Sequence, residues 1–431
     1  MAEGGALPMG RRAFATSLVA AGMFGAVGVG GKPRATEPDK DITRRAADVV
    51  NSFGVATHID YTDSQYADVR KVIEALHYLG LSRVRDHAPD PASDPVGQSH
   101  LHDAAAAGIR FTFVSTGHDP AALVARLRGF VDRSPGSIQA IEGPNEVNNF
   151  PIHYRGLTGV AAAQAYQEEM FRLVRADPKL AHIPVLAYTN WPPSSAKADW
   201  NTLHFYPPEG RQPFFTMLRD KQGQDRIDPG RDFAITEGGY HTLVSAAQVG
   251  GWEGVSNAVH ARLMVNFYLA AAKLGARLVF PYQLLDSYAD PGLSDQEKHF
   301  GLFDFAFRPK PAAMAVRNLV RILDDRHRDA TTFPIAPLDY RIAGLPPTAH
   351  VLPLQKASGQ HMIAIWNEPD IWDAAANWPI AAAAVPITAD FGRQVQMARV
   401  HRPVAGTVQD MRAGQPIRLL LADEPLLIEL G

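Results

Sequence analysis

The sequence predicts an α/β chain built as a (β/α)8 TIM barrel with a C-terminal antiparallel β-sandwich accessory domain. Between residues 52 and 283, eight short apolar runs alternate with helix-period stretches rich in Ala and Leu, and such alternation implies parallel strand pairing. No GxGxxG follows the first run and no GxxxxGK[ST] occurs, so neither nucleotide fingerprint supports an open doubly wound sheet. Beyond about residue 328 helical periodicity fades into short runs bounded by Pro, Gly and Asp, the texture of a small antiparallel sandwich.

The expected barrel strands are residues 52–59, 82–86, 109–115, 138–142, 183–189, 202–206, 233–236 and 278–283. Helical segments are expected at 67–79, 121–131, 160–175 and 256–274. Sandwich strands are expected at 361–366, 385–387, 394–400, 417–421 and 426–430. The chain is thereby divided into residues 1–40, 41–328 for the catalytic barrel and 329–431 for the accessory domain, in line with a barrel of about 250 residues.

Residues 1–40 read as an export signal and linker. Arg11 and Arg12 precede an uncharged stretch rich in Ala and Gly that runs to Gly31, the layout of a twin-arginine signal. Its many Ala and Gly make it a poor permanent membrane anchor, so no stable membrane insertion is expected. The mature start is placed loosely near Ala35, and the destination is the periplasm or the exterior.

Composition narrows the chemistry. Of 431 residues, 42 are Lys or Arg and 45 Asp or Glu, a net charge of −3. That balance argues against a nucleic-acid partner or an anionic membrane surface. With no cysteine, a thiol nucleophile and thiolate metal sites are excluded.

In a (β/α)8 barrel, chemistry sits where strands end and βα loops begin. Strand four ends in Glu142-Gly143-Pro144-Asn145-Glu146, strand six in His204-Phe205-Tyr206-Pro207, and strand seven in Glu237-Gly238-Gly239. Two carboxylates facing each other there supply what glycoside hydrolysis needs, one to give a proton and one to stay ionised. The acid is expected to have a raised pKa because the second carboxylate repels its negative form. Glu142, four residues before Glu146, is expected to be a buried partner for Arg85, with Arg83 as a competitor, and its role is left open.

Asn145-Glu146 on strand four, Glu237 on strand seven and the His204-x-Tyr206-Pro207 element on strand six resemble clan A of the glycoside hydrolases. With the C-terminal sandwich, the chain is most similar to family 39 and its bacterial exopolysaccharide-cleaving relatives, over nearly all of the mature chain. The resemblance implies Glu146 as general acid/base and Glu237 as nucleophile in a retaining double displacement. It also implies that Asn145 binds the sugar 2-hydroxyl, that Tyr206 bonds the nucleophile and that His204 lines the same subsite. Two departures stand out. Glu142-Gly143-Pro144 replaces an aromatic before the Asn-Glu pair, and strand eight reads Phe280-Pro281-Tyr282-Gln283 where clan members carry a Trp platform.

Further candidates for sugar contact are Arg85, His58 and loop aromatics, since sugar rings stack on aromatic faces. The aromatics are Trp191 after strand five, Tyr240 and Trp252 after strand seven, and Tyr282 and Tyr288 after strand eight. Trp191 is favoured because Asn190 and Pro192-Pro193 mark an exposed, stiffened loop. His58, Asp60, Asp86, His87, His118 and His241 raise the question of a metal, but none of these histidines stands in an HxH or HExxH spacing, so neither a metal nor a cofactor is expected. No GxSxG elbow supports an esterase. The sequence therefore predicts a retaining glycosidase acting on a carbohydrate, with a non-catalytic polysaccharide-binding protein of export or attachment as the alternative. A metal-dependent amidohydrolase is disfavoured. Sugar, linkage, endo or exo action and oligomeric state stay open.

Overall fold

A computed structural model describes residues 42–92, 95–115, 119–244, 253–325, 328–392, 395–412 and 416–431. The expected signal with Arg11 and Arg12, and the candidates His118 and Trp252, lie outside the described residues. Among those described, no helix is long and apolar enough to cross a membrane.

The first two-thirds of the chain is mixed α/β with parallel strands. β1 (Val55–Ala56), β2 (Arg83–His87), β3 (Arg110–Ser115), β4 (Ile138–Pro144) and β5 (Val185–Leu186) pair in chain order, all parallel. β6 (Asn201–Phe205) and β7 (Phe233–Gly238) form a second parallel pair. Single parallel bridges link the rest: Leu186 to Trp200, Ile235 to Val279, and Val279 to Phe53 just before β1. The parallel pairings thus run in sequence order and return to their starting strand.

Three expected strands differ, and of the run 183–189 only Val185–Leu186 is regular strand. The run 52–59 is shorter because α1 (Ala46–Ser52), whose Ala46, Ala47 and Val49 are buried, takes its first residue. The segment 278–283 has no regular strand, yet Gly54 donates to Val279 O and Phe280 to Ile235 O, each at 2.9 Å, so its backbone still links both neighbours. Strand β4 is buried at all but one position, as expected of a parallel strand covered on both faces.

The helices start and stop on local chemistry. Asp68 caps α2 (Val69–Leu79) by accepting from Lys71 N, and Gly80 ends it at φ 75°. Asp119 accepts from Ala121 N and Ala122 N ahead of Pro120 in α4 (Pro120–Arg133). Ser256 caps α7 (Asn257–Leu274), which Gly275 terminates at φ 86°. These are the side-chain acceptors and left-handed glycines that helix ends require. The remaining helices are α3 (Pro95–Ala106), α5 (Gly159–Ala176), α6 (Pro213–Ile227) and α8 (Pro311–Leu323).

Beyond α8 come β8 (Arg341–Ala343), β9 (Ala349–Gln355), β10 (His361–Asn367), β11 (Val385–Asp390), β12 (Met397–Arg402), β13 (Thr407–Arg412), β14 (Ile417–Leu421) and β15 (Leu426–Leu430). One antiparallel sheet runs β9-β10-β15-β12-β13, extended at β9 by the two-residue strand Arg44–Arg45 in parallel; the other runs β8-β11-β14. Val351, Ile363, Ile365 and Ile428 of the first sheet bury against Ile387, Ala389, Ile417 and Leu419 of the second. The alternate residues Leu352, Leu354, Met362, Ala364, Trp366 and Leu427 point the other way and join the main core. The period of two thus serves two cores at once, and β9, with Pro353 at its centre, escapes the sequence pattern for that reason.

Gly143 in β4 shows how closely the elements meet. A Cβ there would lie 2.0 Å from Gln167 Oε1 and 2.7 Å from Tyr188 N. Gly129, on the exposed side of α4, has nothing within 4 Å. Gly143→Ala is expected to destabilise the protein by about 1–3 kcal/mol through overpacking. Gly129→Ala should be neutral or add up to ~1 kcal/mol from helix propensity. Urea unfolding of both variants beside the wild type checks the contrast; equal stabilities would contradict it.

Candidate active site

The carboxyl ends of β2, β4, β6 and β7 converge on one charged group, Arg85. Residues two apart on a strand share a face, so Arg83 and Arg85 point alike, but they do different things. Arg83 donates to Gln139 Oε1 at 2.6 Å. Arg85, one layer further along, is 7% exposed and meets three acceptors. Its Nε and Nη2 donate to Glu142 Oε2 and Oε1 at 2.7 and 3.0 Å, Nη2 also to Asn145 Oδ1 at 2.6 Å, and Nη1 to Glu237 Oε2 at 2.8 Å. Glu142 is fully buried. The expected Glu142–Arg85 pair is present, and the same guanidinium also grips Glu237.

Glu146 follows at the end of β4 with φ 40°, a left-handed conformation that costs a non-glycine residue free energy and collects at functional sites. Bonds from both sides hold it there. Its N–H donates to Thr189 Oγ1 at 2.7 Å, and its carbonyl accepts from Asn149 N and Phe150 N, each at 2.8 Å. Its Oε1 lies 2.8 Å from His204 Nδ1, and its Oε2 accepts from Asn149 Nδ2 at 3.1 Å. The other ring nitrogen of His204 lies 3.8 Å from Glu142 Oε1. Tyr206 OH donates to Glu237 Oε1 at 2.5 Å. Beyond Glu237, Gly238 adopts φ 159°, and a Cβ there would lie 2.2 Å from Phe205 O; only glycine lets β7 pass β6 so closely.

The electrostatics follow from these contacts. Burial disfavours the charge of Arg85, but the Glu142 and Glu237 carboxylates outweigh it and raise the guanidinium above its ordinary range. Burial would likewise neutralise Glu142, yet Arg85 and His204 hold it below its usual value. Against its own burial, the His204 imidazole is pushed up to about 9 by Glu237, Glu142 and Glu146. Glu146 is desolvated too, but the bond and charge of His204 bring it down to about 2. The raised pKa expected for the candidate acid is therefore not the state of the free site: a neighbouring cation outweighs the neighbouring carboxylate.

The other sequence candidates divide. Asn145, His204 and Tyr206 join Glu146 and Glu237 in one cluster, as above. Arg85, expected to touch sugar, is committed to protein acceptors and shapes the site from beneath. Tyr240 is corrected: it is 4% exposed and donates its hydroxyl to Arg211 O at 2.8 Å, so it is a packing residue. Trp191 is 59% exposed, with its N–H held by Asn148 Oδ1 at 3.1 Å. Tyr282 is half-buried and meets His58 and Phe300 edge-on, at centroid distances of 5.6 and 5.3 Å. His58 stacks on Tyr61 at 4.5 Å, and neither of its ring nitrogens has a hydrogen-bond partner among the described residues. Tyr288 donates to Asp63 Oδ1.

Three participants escaped the sequence reading. Phe300 meets both Tyr206 and Tyr282 edge-on. Thr189 pins Glu146. Glu297, in a short 3-10 turn at Gln296–Lys298, has its carboxyl pushed up to about 7 by burial and by the charges of Glu237, Asp295 and Glu146. Its setting, Asp295-Gln296-Glu297-Lys298, reads in sequence as an ordinary solvated charge run.

Two groups of side chains have a spacing that a cation would accept: Asp60, Asp86 and His87, and Glu146, His204 and Glu237. In the first, Asp60 pairs with His87 Nδ1 at 3.1 Å, while Asp86 accepts from Thr57 Oγ1 and from the N–H groups of Ile59 and His87. In the second, Arg85 and His204 bring positive charge beside the carboxylates, as in an ion-pair network.

No family model and no curated protein matches the chain in sequence. Solved structures do match it in shape. A family 39 glycoside hydrolase from the gut symbiont Bacteroides cellulosilyticus WH2 superposes with a TM-score of 0.59 at 14% identity, over 89% of this chain and 82% of that one. The fold is similar to that of family 39 glycoside hydrolases. The family 39 enzyme from Xanthomonas axonopodis pv. citri gives a TM-score of 0.54 at 14% identity, covering 89% of this chain and 94% of the other. A monomeric β-xylosidase from Caulobacter crescentus CB15 gives 0.54 at 14%, covering 88% and 95%. At this identity the likeness speaks for the fold, and the chemistry has to be argued from the site.

Two outcomes follow from the network. Arg85→Met leaves Glu142 as an unpaired buried anion and is expected to cost about 3–5 kcal/mol, whereas Arg85→Met with Glu142→Met should cost less than the two single changes added together. A urea-unfolding double-mutant cycle measures the coupling, and strict additivity would show none.

The His204–Glu146 pair also sets a pH dependence. His204 is raised, so its contribution is complete below about 6.5 and is lost as pH climbs through about 9. Glu146 is depressed, so its contribution holds above about 4.5 and is lost as pH falls towards about 2. The stability gap between wild type and His204→Gln should therefore be widest near pH 5–6 and shrink at pH 9.5. A constant gap in urea titrations would refute the pairing.

Proposed function

We propose that the chain is a retaining glycoside hydrolase acting on a polysaccharide or oligosaccharide. Glu237 serves as nucleophile and Glu146 as general acid/base. The observation that carries the proposal is the closeness of the two carboxylates: one oxygen of each, together with a ring nitrogen of His204, lies within 4.8 Å of the others. Retaining enzymes hold their two carboxyl groups about 5–5.5 Å apart, whereas inverting ones leave about 6.5–9.5 Å for a water.

The surroundings fit the two roles. Arg85 and Tyr206 each donate to a different oxygen of Glu237, fixing its aim. In the first step the Glu237 carboxylate attacks the anomeric carbon while Glu146 protonates the departing oxygen. In the second, Glu146 takes a proton from water, and the water oxygen displaces Glu237. Asn145, whose Oδ1 accepts from Arg85, immediately precedes Glu146 and is suited to a sugar hydroxyl; the exposed Trp191 and the half-buried Tyr282 offer ring faces and edges. We read the returning sequence of parallel pairings as a (β/α)8 barrel with these groups at the carboxyl ends of its strands, and residues 329–431 as its β-sandwich companion. The basic, Ala/Gly-rich N-terminus supports twin-arginine export, and a bacterial exopolysaccharide as substrate is consistent with that destination.

Aryl glycosides, beginning with β-xylosides, and exopolysaccharides are the substrates to try. Wild-type protein is expected to release the aglycone with retention, read by proton NMR of the first-formed sugar. Glu146→Ala should lose about 10²–10⁴-fold on substrates with poor leaving groups. Glu237→Ala should be inactive, with azide restoring turnover and giving a glycosyl azide of inverted configuration. If wild type and both variants bind glycan equally and none releases reducing ends, the enzyme reading is lost in favour of a binding protein.

A further inference from the structure

The geometry assigns a partner to the acid/base. In the described structure His204 stands between two carboxylates of β4: Nδ1 is 2.8 Å from Glu146 Oε1 and Nε2 is 3.8 Å from Glu142 Oε1. The third carboxylate, Glu237, has an oxygen 4.0 Å from Nδ1. Three anions therefore surround a ring that is only 10% exposed. The one other cation in contact with them is Arg85, which is bonded to Glu142 and Glu237 and not to Glu146. The hydroxyl of Tyr206 is given to Glu237, and Glu297 adds a further carboxyl facing Glu237 and Glu146. Glu146 thus has one cationic neighbour in bonding distance, and it is an imidazole.

We propose that His204 stores the proton that Glu146 delivers, the two groups sharing one transferable proton across the Nδ1–Oε1 contact. The buried Glu142–Arg85 pair stands behind the ring as a fixed counter-charge. His204 is a positioning residue in this scheme, since it acts through Glu146. When a glycoside displaces water from around Glu146, the Nδ1–H bond breaks and an Oε1–H bond forms, leaving a neutral imidazole and a carboxylic acid. The acid then gives that proton to the glycosidic oxygen as the C–O bond breaks towards Glu237. On hydrolysis of the glycosyl-enzyme, a proton from the attacking water passes to Glu146 and back to Nδ1, so the cycle ends with the proton where it began. The charge of the cluster is the same with the proton on either group. The elevated imidazole and depressed Glu146 agree with this resting place. How the proton is used rests on the glycosidase reading; where it resides does not.

Two measurements separate those questions. The first is a nitrogen-15 histidine NMR titration of the full chain, with the His204 signals identified by their loss in His204→Gln. Wild-type His204 should be an imidazolium through neutrality and lose its proton near pH 9. In Glu146→Gln, and in Glu142→Gln, it should titrate closer to its ordinary value. A neutral His204 at pH 7 in the wild type, or a midpoint unmoved in both variants, overturns the proposal whether or not the protein hydrolyses anything.

The second is the pH dependence of kcat/KM on phenyl and 2,4-dinitrophenyl β-xylosides. In His204→Gln the basic limb should fall from near pH 9 into the carboxylate range. Activity should drop at least ~10-fold more on the phenyl substrate, which needs the proton, than on the dinitrophenyl one. If His204 merely placed Glu146, removing its charge would leave the basic limb in place or move it to higher pH, and either result counts against proton storage. If the wild type cleaves no aryl glycoside while the titration comes out as described, the glycosidase reading fails and the proton assignment stands.

Discussion

One buried guanidinium organises the site. A cation taken out of water is tolerated only with close, well-aligned anions and with its donors spent. Arg85 commits four of its five N–H donors to close acceptors through the planar fork that sets arginine apart from lysine. Its edge takes Glu142 in a bidentate grip, and its remaining bonds reach Asn145 and Glu237. These acceptors come from β4, the turn beyond it and β7, so a single side chain on β2 ties together strand ends contributed by distant parts of the chain. The positions of both candidate catalytic carboxylates are set by the same charge: Glu237 directly, and Glu146 through Asn145 beside it and through His204 against Glu142.

The backbone around this cation is built to let strands close in. Gly143 lies where any side chain would strike Gln167 and the backbone of Tyr188, and Gly238 lies where one would strike the carbonyl of Phe205. Between them, Glu146 occupies a left-handed conformation that a glycine would adopt without strain. The strain falls on the residue whose carboxylate must project at an unusual angle, and it is offset by Thr189 and by the turn that carries Asn149 and Phe150. Small residues flank the chemistry so that the one large residue in a strained conformation can be the useful one.

Much of this was legible in advance, and the limits have physical causes. Parallel strands covered on both faces read as continuous apolar runs, which is why β2, β3, β4 and β7 could be located to within a residue or two at their first residues. The run at 278–283 was visible as an apolar stretch, but whether such a stretch forms a ladder or single bridges depends on neighbours that no local pattern records. Glu146, Glu237, His204 and Tyr206 could be found because strand ends followed by Gly or Pro mark the chemical face. Tyr240 failed by the same rule: it follows β7, yet it turns into the core towards Arg211. Glu297 and Phe300 were missed because their importance comes from where a long loop folds back, and loop paths leave little periodic trace. The expected rise in the pKa of Glu146 failed for a subtler reason. It counted the anion at Glu237 and not the imidazole that three carboxylates together keep protonated.

That imidazole changes how the charge of the site is understood. With Glu142, Glu146 and Glu237 ionised, and Arg85 and His204 cationic, the cluster carries one negative charge in excess. The excess lies at the strand ends, around the space between Glu146 and Glu237. In the proposed double displacement a sugar losing its aglycone would develop positive charge at that place, so a standing negative charge would favour the transition state over the neutral ground state. Glu297 bears on the same balance. Its carboxyl is pushed up to about 7 by burial and by the very anions it faces, so it adds a second negative charge as pH rises through neutrality. Because His204 is pushed up to about 9 and Glu297 only to about 7, Glu297 ionises first, and between those values the larger negative excess coexists with the imidazolium and helps to keep its proton in place.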